Sequence, residues 1–397
     1  MNKITNLFFK SWRGVVLTLC LAAVAFVLYF HRLNNLLPGY ADIEVRTLHS
    51  ASDWHIIMQN PLNVPYKFCL WLLTAVHHSN IQATRIVSAC FATLAGLLFF
   101  AILRMRSHFY IALIGTVLFV TSAGLMHYGR LGTPQIMQAS ILALMASVLY
   151  YQRSSKYRMI SSYGLIALLA ILCYIPGMIW YEIFGVVLLR RNIIGKVAMT
   201  AIKHRVGWAA LGLASIAPLV HAIIVRPTLL RTLAGLPTTI GALPHVASNL
   251  GRTLLAIGIR GTGNPLYGVG HAPQLNVIEL ILCIIGLYVH VKLERSDRSI
   301  FVIGSIILSI VLISLGGAIT FACLIPLLYL LIGRGVNHLL KRWFTVFPRN
   351  PIAKTTSVLL VCMMLFFSIL YQVRAYFVAW PHYAPTKQVF DHKPVDS

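Results

Sequence analysis

The sequence predicts an all-α polytopic membrane protein: a bundle of about eleven transmembrane helices in one integral domain covering residues 1–397. Three observations carry this. Hydrophobic residues make up 58% of the chain and charged residues 11%, where soluble domains carry about 25% charged. Apolar runs of about 15 to 20 residues, long enough to cross a bilayer as helices, recur from end to end. The 33 Lys and Arg, against only nine Asp and Glu, fall in short clusters between those runs. That is the positive-inside pattern; a nucleic-acid-binding protein would gather its basic charge on one domain face.

The first run, 14–30, follows Lys3, Lys10 and Arg13 as in a signal peptide. However, the stretch VLYFHRLNN lacks a small-x-small cleavage site, so the run reads as a retained first span. Ten further spans are expected at 87–103, 110–126, 137–151, 161–174, 178–189, 206–225, 277–290, 300–316, 318–332 and 355–371. Residues 69–76 form a run too short to cross, read as a half-buried helix. Ile175-Pro176-Gly177 is either a turn between two spans or a kink within one. A cytoplasmic N-terminus then places Arg104/Arg106, Arg153/Lys156/Arg158 and the basic residues of 190–205, 292–298 and 334–354 inside the cell. Two long loops remain outside, 31–85 and 226–276, each with its own juxtamembrane helices, which locates the work of the protein at the outer face. Within the second loop, residues 248–259 read as a surface helix with an apolar stripe interrupted by Arg252.

In so acid-poor a chain, the stretch LPGYADIEV at 37–45 is unusual, because Asp42 and Glu44 stand two residues apart beside a span. A carboxylate at the hydrocarbon boundary needs solvation or a partner, and so marks a candidate functional site. If Pro38 and Gly39 hold the segment extended, both acids point into one site. If a helix starts at Asp42, they diverge around its axis, and one leads while the other supports or caps.

The order of the surrounding stretches resembles the GT-C superfamily of membrane glycosyltransferases, and within it the branch of protein O-mannosyltransferases and lipid A aminoarabinose transferases. Four stretches over the first half of the chain carry the resemblance: Asp42-Ile43-Glu44, the Pro-containing segment from Asn60 to Tyr66, Arg85 before a span, and Arg130-Leu131-Gly132-Thr133-Pro134-Gln135. The resemblance implies a GT-C-like bundle in a plasma membrane and a polyprenyl-phosphate-linked sugar as donor. It also implies inverting transfer to a hydroxyl of a glycan, lipid or protein acceptor, with an outer-loop carboxylate as general base. Glu44 is the preferred base, with Asp42 next. The chain departs from the family pattern at three points. Ile43 splits the acids, Gln135 stands where the family carries Asp or Glu, and Asn60 replaces a charged residue.

A phosphate leaving group calls for cations, and Arg130, Arg260 and Lys67 are the candidates. Gly261 and Gly263 beside Arg260 suit a backbone anion nest. Tyr66, Asn60, Gln135 and His271 are the candidates for lining a substrate pocket. His55, His77, His78, His127, His245 and His271 all fall in the outer segments without metal-ligand spacing. Glu279 sits near the outer boundary within reach of water, and Glu182 lies deeper. No residue pattern demands a metal, although the resemblance permits a divalent ion. The seven cysteines form no C-x-x-C pair, so neither a disulfide framework nor a zinc site is indicated. Two rival readings are a transporter or flippase for a lipid-linked sugar and an inactive envelope scaffold. Transporters tend to show paired broken helices, and only one Pro-Gly break is visible here.

Overall fold

The structure is a computed structural model that describes residues 12–37, 39–77, 81–153, 158–237, 243–294 and 296–391. The expectations for Lys3, Lys10, Pro38, His78 and Lys156 fall outside these residues. The regular elements are helical throughout. The first part of the chain comprises α1 (Trp12–Phe30), α2 (Asp42–His49), α3 (Trp54–Gln59), α4 (Val64–His77), α5 (Gln82–Arg106), α6 (Phe109–Val120), α7 (Ala123–Arg130), a 3₁₀ segment (Pro134–Ser140) and α8 (Ile141–Arg153). The rest comprises α9 (Arg158–Leu172), α10 (Met178–Ala198), α11 (Ile202–Val225), α12 (Thr228–Leu233), α13 (Leu243–Gly258), α14 (Val277–Tyr288), α15 (Asp297–Ser314), α16 (Phe321–Val346), α17 (Pro351–Arg374), α18 (Trp380–His382) and α19 (Ala384–Val389).

The core is built around α16, whose side chains are buried almost without interruption from Phe321 to Asn337. Helix α14 lies against it at backbone distance. A Cβ on Gly286 would sit 1.9 Å from the Leu331 carbonyl oxygen, and one on Gly335 2.1 Å from that of Leu282. Small residues at a crossing let two backbones approach in this way where lipid supplies no hydrophobic drive between helices. On the other side, α11 and α17 leave Leu213, Ile224, Leu359 and Phe366 exposed, an apolar outer belt suited to acyl chains.

Five helices are long and apolar enough to cross a bilayer: Gln82–Arg106, Ile202–Val225, Asp297–Ser314, Phe321–Val346 and Pro351–His382. A sixth follows if Phe109–Val120 and Ala123–Arg130, bent by 60°, form one broken span. Among the described residues this corrects the expectation of about eleven, and the reasons are local. Three of the expected runs form shorter apolar helices, Gly14–Phe30, Pro134–Val148 and Ser162–Leu172. The run at 178–189 continues into Arg190, Arg191 and Lys196 as one charged-ended helix. The run at 277–290 leaves α-helical geometry after Tyr288 in a turn of π-helix. The Pro-Gly break at 175–177 is a turn between α9 and α10. Gly177 takes φ +81°, a left-handed value that favours glycine, and donates its N–H to Leu233 at 2.8 Å.

Gly286→Ala is expected to cost at least about 1–3 kcal/mol, because a backbone carbonyl cannot move aside as a side chain can. Thermal unfolding in detergent checks this, with Gly251→Ala, whose added methyl meets nothing within 4 Å, expected to unfold like the parent.

Candidate functional site

The first loop does not stay extended. Helix α2 begins at Asp42 with Ala41 as its N-cap residue, and Glu44, in the first turn, reaches back to accept the Ala41 N–H at 3.0 Å. Two residues of helix separate the acids by about 200° around the axis, so they face different surroundings. Asp42 lies at the surface with its side chain 67% exposed, 4.0 Å from the Arg46 guanidinium. Glu44 is wholly buried.

Four donors surround Glu44. Its Oε1 accepts from Arg85 Nε at 2.8 Å and from the Gly132 N–H at 2.9 Å. Its Oε2 accepts from Arg85 Nη2 at 2.9 Å as well as from Ala41. The remaining Arg85 valences go to the Gly39 carbonyl at 2.8 Å and the Leu33 carbonyl at 3.4 Å, and the guanidinium lies 4.4 Å from the Tyr40 ring centre. One carboxylate thus joins the first loop, the start of α5 and the turn after α7. A Cβ on Gly132 would come within 2.0 Å of Thr84 Oγ1, so only glycine brings that N–H to the acid. A carboxylate whose lone pairs are all engaged, two of them by a guanidinium, is badly placed to take a proton from an acceptor. The geometry gives Glu44 a positioning role instead of the preferred base role.

Arg130 is equally committed. It donates through Nη1 to the Leu28 carbonyl, through Nη2 to the His31 carbonyl at 2.7 Å and through Nε to Tyr376 Oη at 3.2 Å, and it packs on the rings of Tyr376 and Phe377. Buried at 4% exposure, it ties the end of α1 to the end of α17 and offers no face to a phosphate. Gln135 is half-buried and accepts a hydrogen bond from Tyr267, whose ring stacks 4.5 Å from that of Tyr128. The second long loop therefore closes over the turn at 130–135, at the same end of the bundle as Glu44.

Within that loop the Gly261 N–H donates to the His271 carbonyl at 2.8 Å, and His271 Nδ1 lies 3.2 Å from the Gly261 carbonyl. The expected nest is therefore closed on itself at Gly261. Arg260 is exposed beside it and makes no side-chain hydrogen bond or ion pair with the described residues; the His271 ring is also at the surface. Tyr66 sits in the packed interior. Fully buried, it donates to the Thr84 carbonyl at 2.7 Å and lies 2.9 Å from Ser88 Oγ. Lys67, at 5% exposure, donates to the Asn60 carbonyl at 2.7 Å, while Asn60 Oδ1 accepts the Leu62 N–H in a local turn. The expectation that Glu279 reaches water is also corrected. It is buried, accepting from Tyr329 Oη at 2.9 Å, Ser368 Oγ at 3.1 Å and Gln372 Nε2 at 2.6 Å. Glu182 accepts from Cys173 Sγ at 3.1 Å.

No family model matches the chain, and no curated protein matches it by sequence. By structure it is similar to ArnT from Cupriavidus metallidurans, in a crystal structure with undecaprenyl phosphate bound. The TM-score is 0.56 at 13% identity, over 96% of this chain and 77% of that one. The two share a fold. The likeness agrees with the all-α membrane bundle expected from the sequence and assigns no family.

Sequence reasoning missed Tyr267, Tyr376 and the Gly132 N–H. Tyr267 and Tyr376 meet partners 132 and 246 residues away, and no spacing pattern links such positions. For Gly132 a signal was present, since a glycine two residues after a candidate Arg permits close backbone approach.

Two predictions follow from these contacts. Glu44→Leu or Arg85→Met alone should cost about 3–5 kcal/mol by stranding a buried charge or its donors, and the double variant should cost far less than the sum; a double-mutant cycle by chemical denaturation measures this. Burial also pulls the Lys67 ammonium, in α4 outside the spans, down to about 8. A folded-state value below the unfolded one means that the buried charge lowers stability below about pH 8, and that this penalty fades as pH rises to about 10.4. Lys67→Met should accordingly be at least as stable as the parent at pH 7 and lose ground between about pH 8 and 10.4, read from melting curves across that range.

Proposed function

We propose that the chain is a glycosyltransferase that moves a sugar from a polyprenyl-phosphate donor to an acceptor hydroxyl at the outer membrane face. The likeness to ArnT with undecaprenyl phosphate bound is the observation that carries this reading. The base is Asp42, the member of the 42–44 acidic pair that lies at the surface. The acceptor oxygen attacks the anomeric carbon as its proton passes to the Asp42 carboxylate. The bond from that carbon to the phosphate oxygen breaks, and its electron pair leaves with the lipid phosphate. Attack opposite the leaving group inverts the anomeric centre. Arg260, exposed on the loop over Gln135, faces the negative charge that builds on the departing phosphate. Glu44 and Arg85 hold α2 so that Asp42 is presented at that end of the bundle.

Gln135 supports a second reading. A neutral amide engaged by Tyr267 occupies the position where the resembled family carries an acid, and Glu44 is saturated. A protein built this way binds the lipid carrier without transferring its sugar, as a scaffold within envelope assembly.

The two separate in one membrane assay with labelled polyprenyl-phosphate sugar. The enzyme reading requires transfer that falls about 10²–10⁴-fold in Asp42→Asn with the protein still folded by size exclusion and melting. Transfer at the parental rate in Asp42→Asn removes the base assignment, and carrier binding without any transfer by the parent favours the second reading.

A further inference from the structure

At the end of the bundle opposite the candidate site, three segments bring basic side chains together. Helix α5 carries Arg85 near its start and Arg104 and Arg106 in its last turn; the helical rise sets Arg85 and Arg106 about 30 Å apart. The π turn after α14 adds His290 and Lys292. Helix α16 adds Arg334. A Cβ on the adjacent Gly333 would meet Leu103 of α5 at 3.2 Å, and the Arg334 guanidinium pairs with the half-exposed Glu294 that ends the π turn. His290 lies within electrostatic reach of Arg106, Arg334 and Glu294, so these groups form one cluster.

Helix dipoles and the clustering of basic charge at one membrane face explain exposed cations in last turns. They do not explain buried donors. His290 is 2% exposed. Its Nδ1 lies 2.9 Å from Ser299 Oγ in the first turn of α15, while Nε2, on the other side of the ring, has no hydrogen-bond partner among the described residues. Arg334 Nε and Ser107 Oγ, the latter at the C-cap of α5, are likewise buried without a partner among them. A buried polar atom left unpaired bears the cost of its lost hydration, and folded proteins keep such atoms few. A π turn is itself rare and tends to mark functional sites. Water supplies one oxygen and no charge. A phosphate group supplies several acceptor oxygens and the negative charge that a guanidinium fork matches. We propose that His290, Arg334 and Arg106 form a binding site for a phosphate group, presented by the headgroup of an anionic phospholipid or by free phosphate. The bound phosphate ties the end of α5, the π turn and α16 together. The site is separate from the proposed sugar transfer, which lies at the far end of α5.

The test uses the full chain in detergent. Binding of phosphatidylglycerol, against phosphatidylcholine, is read by native mass spectrometry. Binding of inorganic phosphate, against chloride at equal ionic strength, is read from the melting temperature. Arg334→Gln and His290→Gln, each referred to its own ligand-free melting, should weaken binding about tenfold or more, the scale of losing one charge-assisted contact. Arg349→Gln, at an exposed position beyond α16, should bind like the parent. Should Arg334→Gln fail to fold, His290→Gln, which keeps a polar side chain beside Ser299, decides. A response to phosphatidylglycerol alone supports the site with a lipid headgroup as its source, and a response to inorganic phosphate as well supports it with a soluble phosphate. Parental affinity in the folded variants overturns the site. A parent that distinguishes neither phosphatidylglycerol from phosphatidylcholine nor phosphate from chloride also overturns it and leaves the buried donors to ordered water.

Discussion

The buried pair of Glu44 and Arg85 is the constraint on which the candidate site depends. Both side chains are almost wholly removed from solvent, where an ionised group is tolerable only if its partners are complete. Completeness here requires three separate segments to arrive together: the Ala41 N–H, the guanidinium on α5 and the Gly132 N–H after α7. If any one is displaced, a charge is left in an apolar surround. The pair therefore sets the register of the first loop against the spans, and Asp42 inherits its position from that register.

The same logic recurs elsewhere and accounts for how a chain with nine acids uses them. Glu279 closes the start of α14 by accepting the Asn276 N–H at 3.1 Å and gathers Tyr329, Ser368 and Gln372 from two other helices. Gln372 in turn accepts the Ala123 N–H at 3.1 Å, fixing the bend between α6 and α7. Toward the other end of α16, Glu294 pairs with Arg334. In an apolar bundle, where helix association draws on packing and hydrogen bonds more than on hydrophobic drive, a carboxylate that collects several donors is an efficient joint between helices. Arg130 does the converse with its donors, joining α1 and α17. Asp42 and Arg260, by contrast, stay at the surface.

The sequence on its own determined the helical membrane class, because hydropathy and charge clustering act over lengths that a bilayer imposes. It also located the break at 175–177, leaving turn or kink open, and the short helix around Cys69. Span number was less legible. An apolar run shows that a segment avoids water, not whether it forms one straight helix, a shorter one or a bent pair, as at 110–126.

Tertiary structure alone decided which member of each candidate set is a joint and which is open. Asp42 and Glu44 are equivalent by composition, and Arg130 and Arg260 both flank glycine. Only the arrival of Arg85, Gly132 and Ala41 at one acid, and of Leu28, His31 and Tyr376 at one guanidinium, separates them. Those partners come from distant positions brought together by helix packing, and the cost of an unpaired buried charge makes the outcome all-or-none.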